Sequence, residues 1–243
     1  MIAPTQTVRE IAQAQPASVR VFEQFGIEYC CGGHKPLAEA CTAKDIDVET
    51  VIAALEAASR SENAQMKDWT KEPLRKLAEH IVRTHHAYCK DELPRLSGLA
   101  AKVVNAHGGT NPELAVIQAK LAELTEELTD HLAEEEVVVF PMIAKLEGRK
   151  ANDAAGQAES ATSIGNPLAL LIEEHDHAGV LLAEIRSLSR DFIAPEYACT
   201  TYLAFYDGLR EFERDLHRHV HLENNILFPR AIALEASHGS KCN

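Results

Sequence analysis

His131-x3-Glu135-x4-Phe140-Pro141 recurs almost a half-chain later as His219-x3-Glu223-x4-Phe228-Pro229. Two further histidines, His85 and His175, precede the copies by 46 and 44 residues. The chain is therefore an internal duplication, and each half offers two imidazoles and one carboxylate. Residues four apart on an α-helix share a face and lie about 6 Å apart along the axis. Each His/Glu pair can thus address one point in space. Four imidazoles and two carboxylates converging between helices are a ligand set for two metal ions.

The helical period around these residues is clear from Pro73 onward. A first long helix carries Leu74, Leu77, Ile81, His85 and Tyr88 on one stripe. A second opens at Asn111-Pro112 and carries Leu114, Ile117, Leu121, Leu124, Leu128, His131, Glu135, Val138 and Met142. A third opens at Asn166-Pro167, with Leu168, Leu171, His175, Ala178, Leu182 and Ile185. The fourth reads Tyr202, Phe205, Leu209, Phe212, Leu216, His219, Glu223 and Ile226, and reaches about Leu234. Steps of three and four mark buried bundle faces. The candidate ligands stand where Leu would be expected, and a buried His or Glu is costly unless paired or metal-bound. The fold expected is all-α: a four-helix up-down bundle over residues 73–235, with a small helical N-terminal domain over 1–59. Residues 60–72 read as a linker and 236–243 as a tail. In the small domain, Pro16 to Phe25 reads as a helix stopped by Gly26. Another helix can start at Pro36, and a third, over Val48 to Ala58, takes Asp47 as its N-cap.

Four histidines on the core stripes of four helices, two with Glu at i+4, are hard to reach as merely satisfied core residues. Imidazole with carboxylate and no thiolate suits iron, manganese or zinc. Closed tetrahedral zinc would not need bridging carboxylates, so the set favours two non-haem irons, with room for an oxo or hydroxo bridge and a small ligand. His177, His217 and His221, two positions from a ligand, are expected to point away from the core, and His86 to lie about 100° off the stripe. His80 and His107 have no partner in the pattern. Cys89 lies four after His85 but reads as a buried free thiol.

Cys30-Cys31 is a separate signal. Adjacent cysteines rarely bridge each other. They precede Gly32-Gly33 and a helix start at Pro36, a setting that can lower a thiol pKa and favour a reactive thiolate. The six cysteines are otherwise irregularly spaced and do not form a disulfide framework. A net charge of −13 argues against nucleic acid and anionic membranes as partners. No apolar run reaches the roughly 18 residues of a membrane span, and the N-terminus lacks a signal-peptide pattern. A cytoplasmic protein is expected.

Tyr29-Cys30-Cys31-Gly32-Gly33, followed by helices bearing His85, His131/Glu135, His175 and His219/Glu223, resembles the Repair of Iron Centres family. Glu174-His175-Asp176 and Leu222-Glu223-Asn224-Asn225-Ile226-Leu227-Phe228-Pro229 extend the likeness over nearly the whole chain. These are bacterial hemerythrin-like di-iron proteins of iron–sulfur cluster repair. The resemblance implies two irons ligated by His85, His131, His175 and His219 and bridged by Glu135 and Glu223, with Cys30 and Cys31 supplying thiol chemistry. It implies action under nitrosative and oxidative stress, through iron donation or through nitric oxide binding and reduction. The partners expected are damaged iron–sulfur proteins and nitric oxide, with homodimer formation left open. The alternative is a binding protein that lowers free nitric oxide or dioxygen and so quiets a sensor. Cys89, Cys242 and the long Gly148 to Gly165 connection stand outside the resemblance.

Overall fold

The computed structural model describes residues 2–60, 67–148 and 163–239. Residues 61–66 of the expected linker, residues 149–162 of the Gly148 to Gly165 connection, and Cys242 lie outside those residues. Among the described residues every regular element is helical, and the sole β-type pairing is an isolated bridge between Thr7 and Pro36.

Four short helices build the N-terminal domain: α1 (Val8–Ala14), α2 (Ser18–Phe25), α3 (Leu37–Thr42) and α4 (Val48–Arg60). Their starts and stops are local chemistry. Thr7 and Glu10 form a reciprocal capping box on α1, a helix that the sequence reading passed over although Thr7-x-x-Glu10 signals it. Gly26 ends α2 with φ +63°, the left-handed conformation glycine adopts without strain. The Asp47 carboxylate accepts from Thr50 N at 3.0 Å to start α4. Val8, Phe22, Leu37, Val51 and Leu55 fill this domain's own core.

The bundle is four long helical columns. The first joins α5 (Leu74–Ile81) to α6 (Ala87–His107) through a widened π-turn at Val82–His86. The second joins α7 (Glu113–Glu134) to α8 (Phe140–Gly148) through a π-turn at Glu135–Val139. The third is α9 (Gly165–Leu188), without interruption. The fourth joins α10 (Thr200–Leu222) to α11 (Phe228–Gly239) through a π-turn at Glu223–Leu227. In the second and fourth columns the cause is visible in the repeated motif. Each Glu opens the wide turn, the Phe N–H reaches back five residues to the Glu carbonyl, and the following Pro has no N–H to offer.

The duplication also shows in the caps. Glu147 accepts from Leu74 N and Arg75 N at 2.7 and 3.0 Å. Glu235, the equivalent residue of the second half, accepts from Ile164 N at 3.0 Å. Each carboxylate lies twelve residues past the Glu that opens its π-turn. From the capped Leu74 to His86 is twelve residues, and from Ile164 to His175 is eleven. The extra residue in the first half is the one taken up by the Val82–His86 turn.

An inserted residue turns everything beyond it by about 100°, and this corrects the expected stripes. Cys89, Val139 and Ile143 are fully buried, whereas Val138 is 43% exposed and Met142 is only partly buried. Two apolar clusters fill the bundle. One holds Leu93, Leu96, Leu124, Phe205 and Phe212, and the other holds Leu77, Ile81, Ile143, Leu171 and Phe228. A polar layer divides them.

Candidate metal centre

That layer contains His86, His131, Glu135, His175, His219 and Glu223, each at most 6% exposed. Their donor atoms fall into two groups that share both carboxylates: His86 and His219 in one, His131 and His175 in the other. The Nε2 atoms of His86 and His219 lie 3.2 Å apart, and those of His131 and His175 lie 2.9 Å apart. Glu223 spans the groups, with Oε1 2.8 Å from His219 Nε2 and Oε2 3.2 Å from His175 Nε2. Glu135 Oε2 spans them too, at 3.3 Å from His86 Nε2 and 3.5 Å from His131 Nε2. Five of the six expected ligands therefore converge.

The sixth does not. His85 Nδ1 faces the Asp215 carboxylate at 3.0 and 3.1 Å, and its ring lies parallel to that of His219 with centroids 5.6 Å apart. The π-turn carries the first column past its expected register and delivers His86 instead. The signal was present in the sequence. Read backward from Leu96, Leu93 and Cys89, the stripe meets His86, one residue out of step with Leu74, Leu77 and Ile81.

Three of the rings are oriented from behind. His86 Nδ1 faces Glu136 Oε1 at 2.8 Å, His131 Nδ1 faces Glu174 Oε2 at 2.6 Å, and His175 Nδ1 faces Asn224 Oδ1 at 2.9 Å. An acceptor behind Nδ1 keeps the proton there and turns the Nε2 lone pair inward, the arrangement found around metal-bound histidine.

Electrostatics tests whether the residues fit metal ions. Burial and the adjacent Glu223 charge push the Glu135 carboxyl up to about 7. Burial acts on Glu223 in the same sense, but His219, His175 and His86 hold it well below the usual carboxylate range. Burial lowers His131 and His219. It opposes charge on His86 as well, yet contact with Glu135 and Glu223 lifts that ring to about 10. His175, likewise buried, is lifted to about 9 by Glu223 and Glu135. Each pair thus joins a ring whose proton affinity the carboxylates raise to one whose proton affinity burial lowers. Both Glu135 oxygens and Glu223 Oε2 still lack a hydrogen-bond partner. Unpartnered buried carboxylate oxygens cost several kcal/mol unless a cation meets them. Two cations between the facing imidazole nitrogens would meet these oxygens, and the residues fit.

The N-terminal domain packs directly behind this layer. Asn225 Nδ2 donates to Tyr29 O at 2.9 Å, and Glu23 accepts from Arg218 Nε and Nη2 at 2.6 Å each. Pro229 offers no N–H to the Asn225 carbonyl, to which Gln13 Nε2 donates. Gly33 lets the loop fold back, since a Cβ there would lie 2.6 Å from the Tyr29 carbonyl. This docking corrects two expectations. His221 is 5% exposed, covered by Tyr29, although His177 does lie at the surface beside Glu127. Cys30 is 2% exposed and not a ready thiolate: the Cys31 contact, burial and the Glu28 charge all push its pKa up. Cys31 is half-buried, with Sγ 3.8 Å from the His175 carbonyl oxygen. Cys89 is buried, and its thiol is pushed up by burial and by nearby carboxylates.

Fold and site together define a hemerythrin-type cation-binding bundle, and comparison with known proteins bears this out. The family model described as hemerythrin HHE cation binding domain matches residues 77–231. A second model, ScdA_N, described as a domain of unknown function (DUF542), matches residues 4–59. The iron-sulfur cluster repair protein YtfE of Salmonella choleraesuis (strain SC-B67) is 36% identical over 230 residues, covering 95% of this chain and 98% of the relative. The protein of the same name from Salmonella typhimurium (strain LT2) matches to the same extent. The chain belongs to this family of hemerythrin-like iron–sulfur cluster repair proteins. No helix among its described residues is long and apolar enough to cross a membrane.

Proposed function

We propose that the chain holds two non-haem irons, one on His86 and His219 and one on His131 and His175, with Glu135 and Glu223 shared. We propose that it uses them to restore iron–sulfur clusters damaged by nitrosative or oxidative stress. One observation carries the reading: two fully buried carboxylates lie between two pairs of facing imidazole nitrogens, with three carboxylate oxygens unpartnered. The relatives, iron-sulfur cluster repair proteins, suggest the process.

Bound iron would supply open positions for nitric oxide and a store of metal for a depleted cluster. The residues of the chain prepare that chemistry. Glu136, Glu174 and Asn224 hold their imidazoles as Nδ1–H tautomers. The apolar clusters above and below exclude water from the layer. The carboxylates raise the proton affinity of His86 and His175, protons compete with metal for those nitrogens, and loading weakens as pH falls. Glu174 stands half in solvent, with 51% of its side chain exposed, and Lys90 holds Glu136 at the surface. The buried rings of His131 and His86 are therefore steered by side chains that water can reach.

The test is iron content and repair measured together. Glu135→Leu and Glu223→Leu should each lose both irons, because each carboxylate serves both groups, and each should fail to reactivate an iron–sulfur enzyme inactivated by nitric oxide. Reactivation at wild-type rates by an iron-free variant would overturn the reading. Nitrous oxide formed over many turnovers would identify nitric oxide reduction, and uptake of one nitric oxide per iron would identify a sink.

A further inference from the structure

Outside the layer, the docked domain assembles a second donor set. Glu28, Cys30 and His217 bring a carboxylate oxygen, a thiol sulfur and an imidazole nitrogen within 4.8 Å of one another. Glu28 Oε1 accepts from the Cys30 thiol at 2.7 Å and from Cys30 N at 2.8 Å, and Glu28 Oε2 lies 3.8 Å from His217 Nε2. We propose that these three residues form a mononuclear site for a borderline divalent cation, iron(II) or zinc, separate from the dinuclear centre.

The donor types select the metal. A thiolate with imidazole excludes magnesium and calcium and suits divalent iron, cobalt or zinc. Charge agrees: one thiolate, one carboxylate and one neutral imidazole balance a divalent cation, so nothing net is left at a half-buried spot. Binding breaks only the S–H bond. The proton that the thiol now shares with Glu28 goes to solvent as sulfur joins the metal.

The geometry is prepared before any metal arrives. Cys30 is fixed by its own N–H bond to Glu28, and its neighbour Tyr29 is fixed by Asn225. His217 comes from α10, so the site exists only when the domain is docked. Glu28 and His217 keep 43% and 26% of their side chains exposed, which leaves one edge open to solvent. On the far side Cys31 reaches the His175 carbonyl. The cation would thus sit between solvent and the backbone of the dinuclear layer. A plain loop clamp would use the Glu28–Cys30 and Glu28–His217 contacts but has no need of a thiol sulfur within donor distance of that imidazole.

The proposal does not depend on the repair reading, and its test separates the two. The full chain is loaded with iron and then titrated with cobalt(II). The dinuclear layer contains no sulfur, so a thiolate-to-cobalt charge-transfer band can come only from cysteine. The expected result is one cobalt per chain with that band, the band lost in Cys30→Ser, and affinity about tenfold or more weaker in His217→Ala, with both irons retained in each variant. His217 stands half in solvent, so its variant should keep the fold if Cys30→Ser does not. Absence of the band in the wild type would overturn the site, as would a band lost in Cys31→Ala but kept in Cys30→Ser. Unchanged affinity in His217→Ala would overturn it equally.

Discussion

His86 and His175 occupy equivalent places in the two halves of the bundle, and the backbone delivers them differently. His175 stands in α9, an uninterrupted helix, with a neutral amide, Asn224, behind its ring. His86 stands at the end of a π-turn, with a carboxylate, Glu136, behind its ring and Lys90 behind that carboxylate. Both rings reach the same layer at the same depth. A site of this kind is therefore specified by where nitrogen atoms end up, and a helix can spend one residue to correct its register. The two caps show that the correction is local, since Glu147 and Glu235 hold equivalent helix starts.

The sharpest way to break this comparison is to remove one residue from each helix. Deleting exposed Arg83 should let the wide turn close to an ordinary one, with Leu77 and Ile81 below it and His86 and Cys89 above it in one register. That variant should fold and bind two irons. Deleting exposed Glu173 from α9 should turn Leu168 and Leu171 away from the core by about 100°, with loss of metal and of cooperative unfolding. Circular dichroism melts and iron analysis read both. Equal damage from the two deletions would mean that the Val82–His86 turn holds no surplus residue.

A smaller effect, confined to the site, separates the adjacent histidines. His86→Leu should lose at least the iron it shares with His219, as His175→Leu should lose its own. His85→Leu should retain both irons, since His85 is turned to Asp215. Iron stoichiometry with Mössbauer spectroscopy decides the matter, and retention of two irons by His86→Leu would return the ligand role to His85.

The mildest change probes the unlike partners behind the rings. Asn224→Leu leaves His175 Nδ1 without an acceptor and should weaken iron affinity about 10- to 100-fold. Glu136→Gln keeps an acceptor oxygen and should fall at the lower end of that range. Competition with a chelator gives both numbers. Wild-type affinity in Asn224→Leu would show that α9 alone orients its histidine.

The same wide turns set the limit of what was legible in the sequence. The duplicated motif carries four of the six convergent residues, because His131/Glu135 and His219/Glu223 each sit on the near side of a turn's distortion, and the unbroken period of α9 carries His175. The period points to Val138 and Met142 beyond Glu135 and to His85 over His86, and one extra residue in each turn moves the buried positions to Val139, Ile143 and His86. The Phe-Pro at the end of each motif was the readable mark of a π-turn, since proline removes the N–H that would close a normal one. Val82–His86 carries no such mark. His221 and Cys30 were misread for another reason: each is buried by contact between domains, which helical periodicity within one segment does not encode. Thr7-x-x-Glu10 is a legible capping signal for α1.

The polar layer between two apolar clusters also bears on how such a chain can drift. At the apolar ends the requirement is volume, so Leu, Ile and Met can exchange at under about 1.5 kcal/mol when neighbours adjust. In the layer the requirement is a partner for every lone pair, and no small shift supplies a missing charge. Substitutions should therefore accumulate above and below the six residues and their supports far faster than among them. A chain that is only 36% identical to its relatives can have replaced most of both cores while leaving one thin slice of the molecule almost untouched.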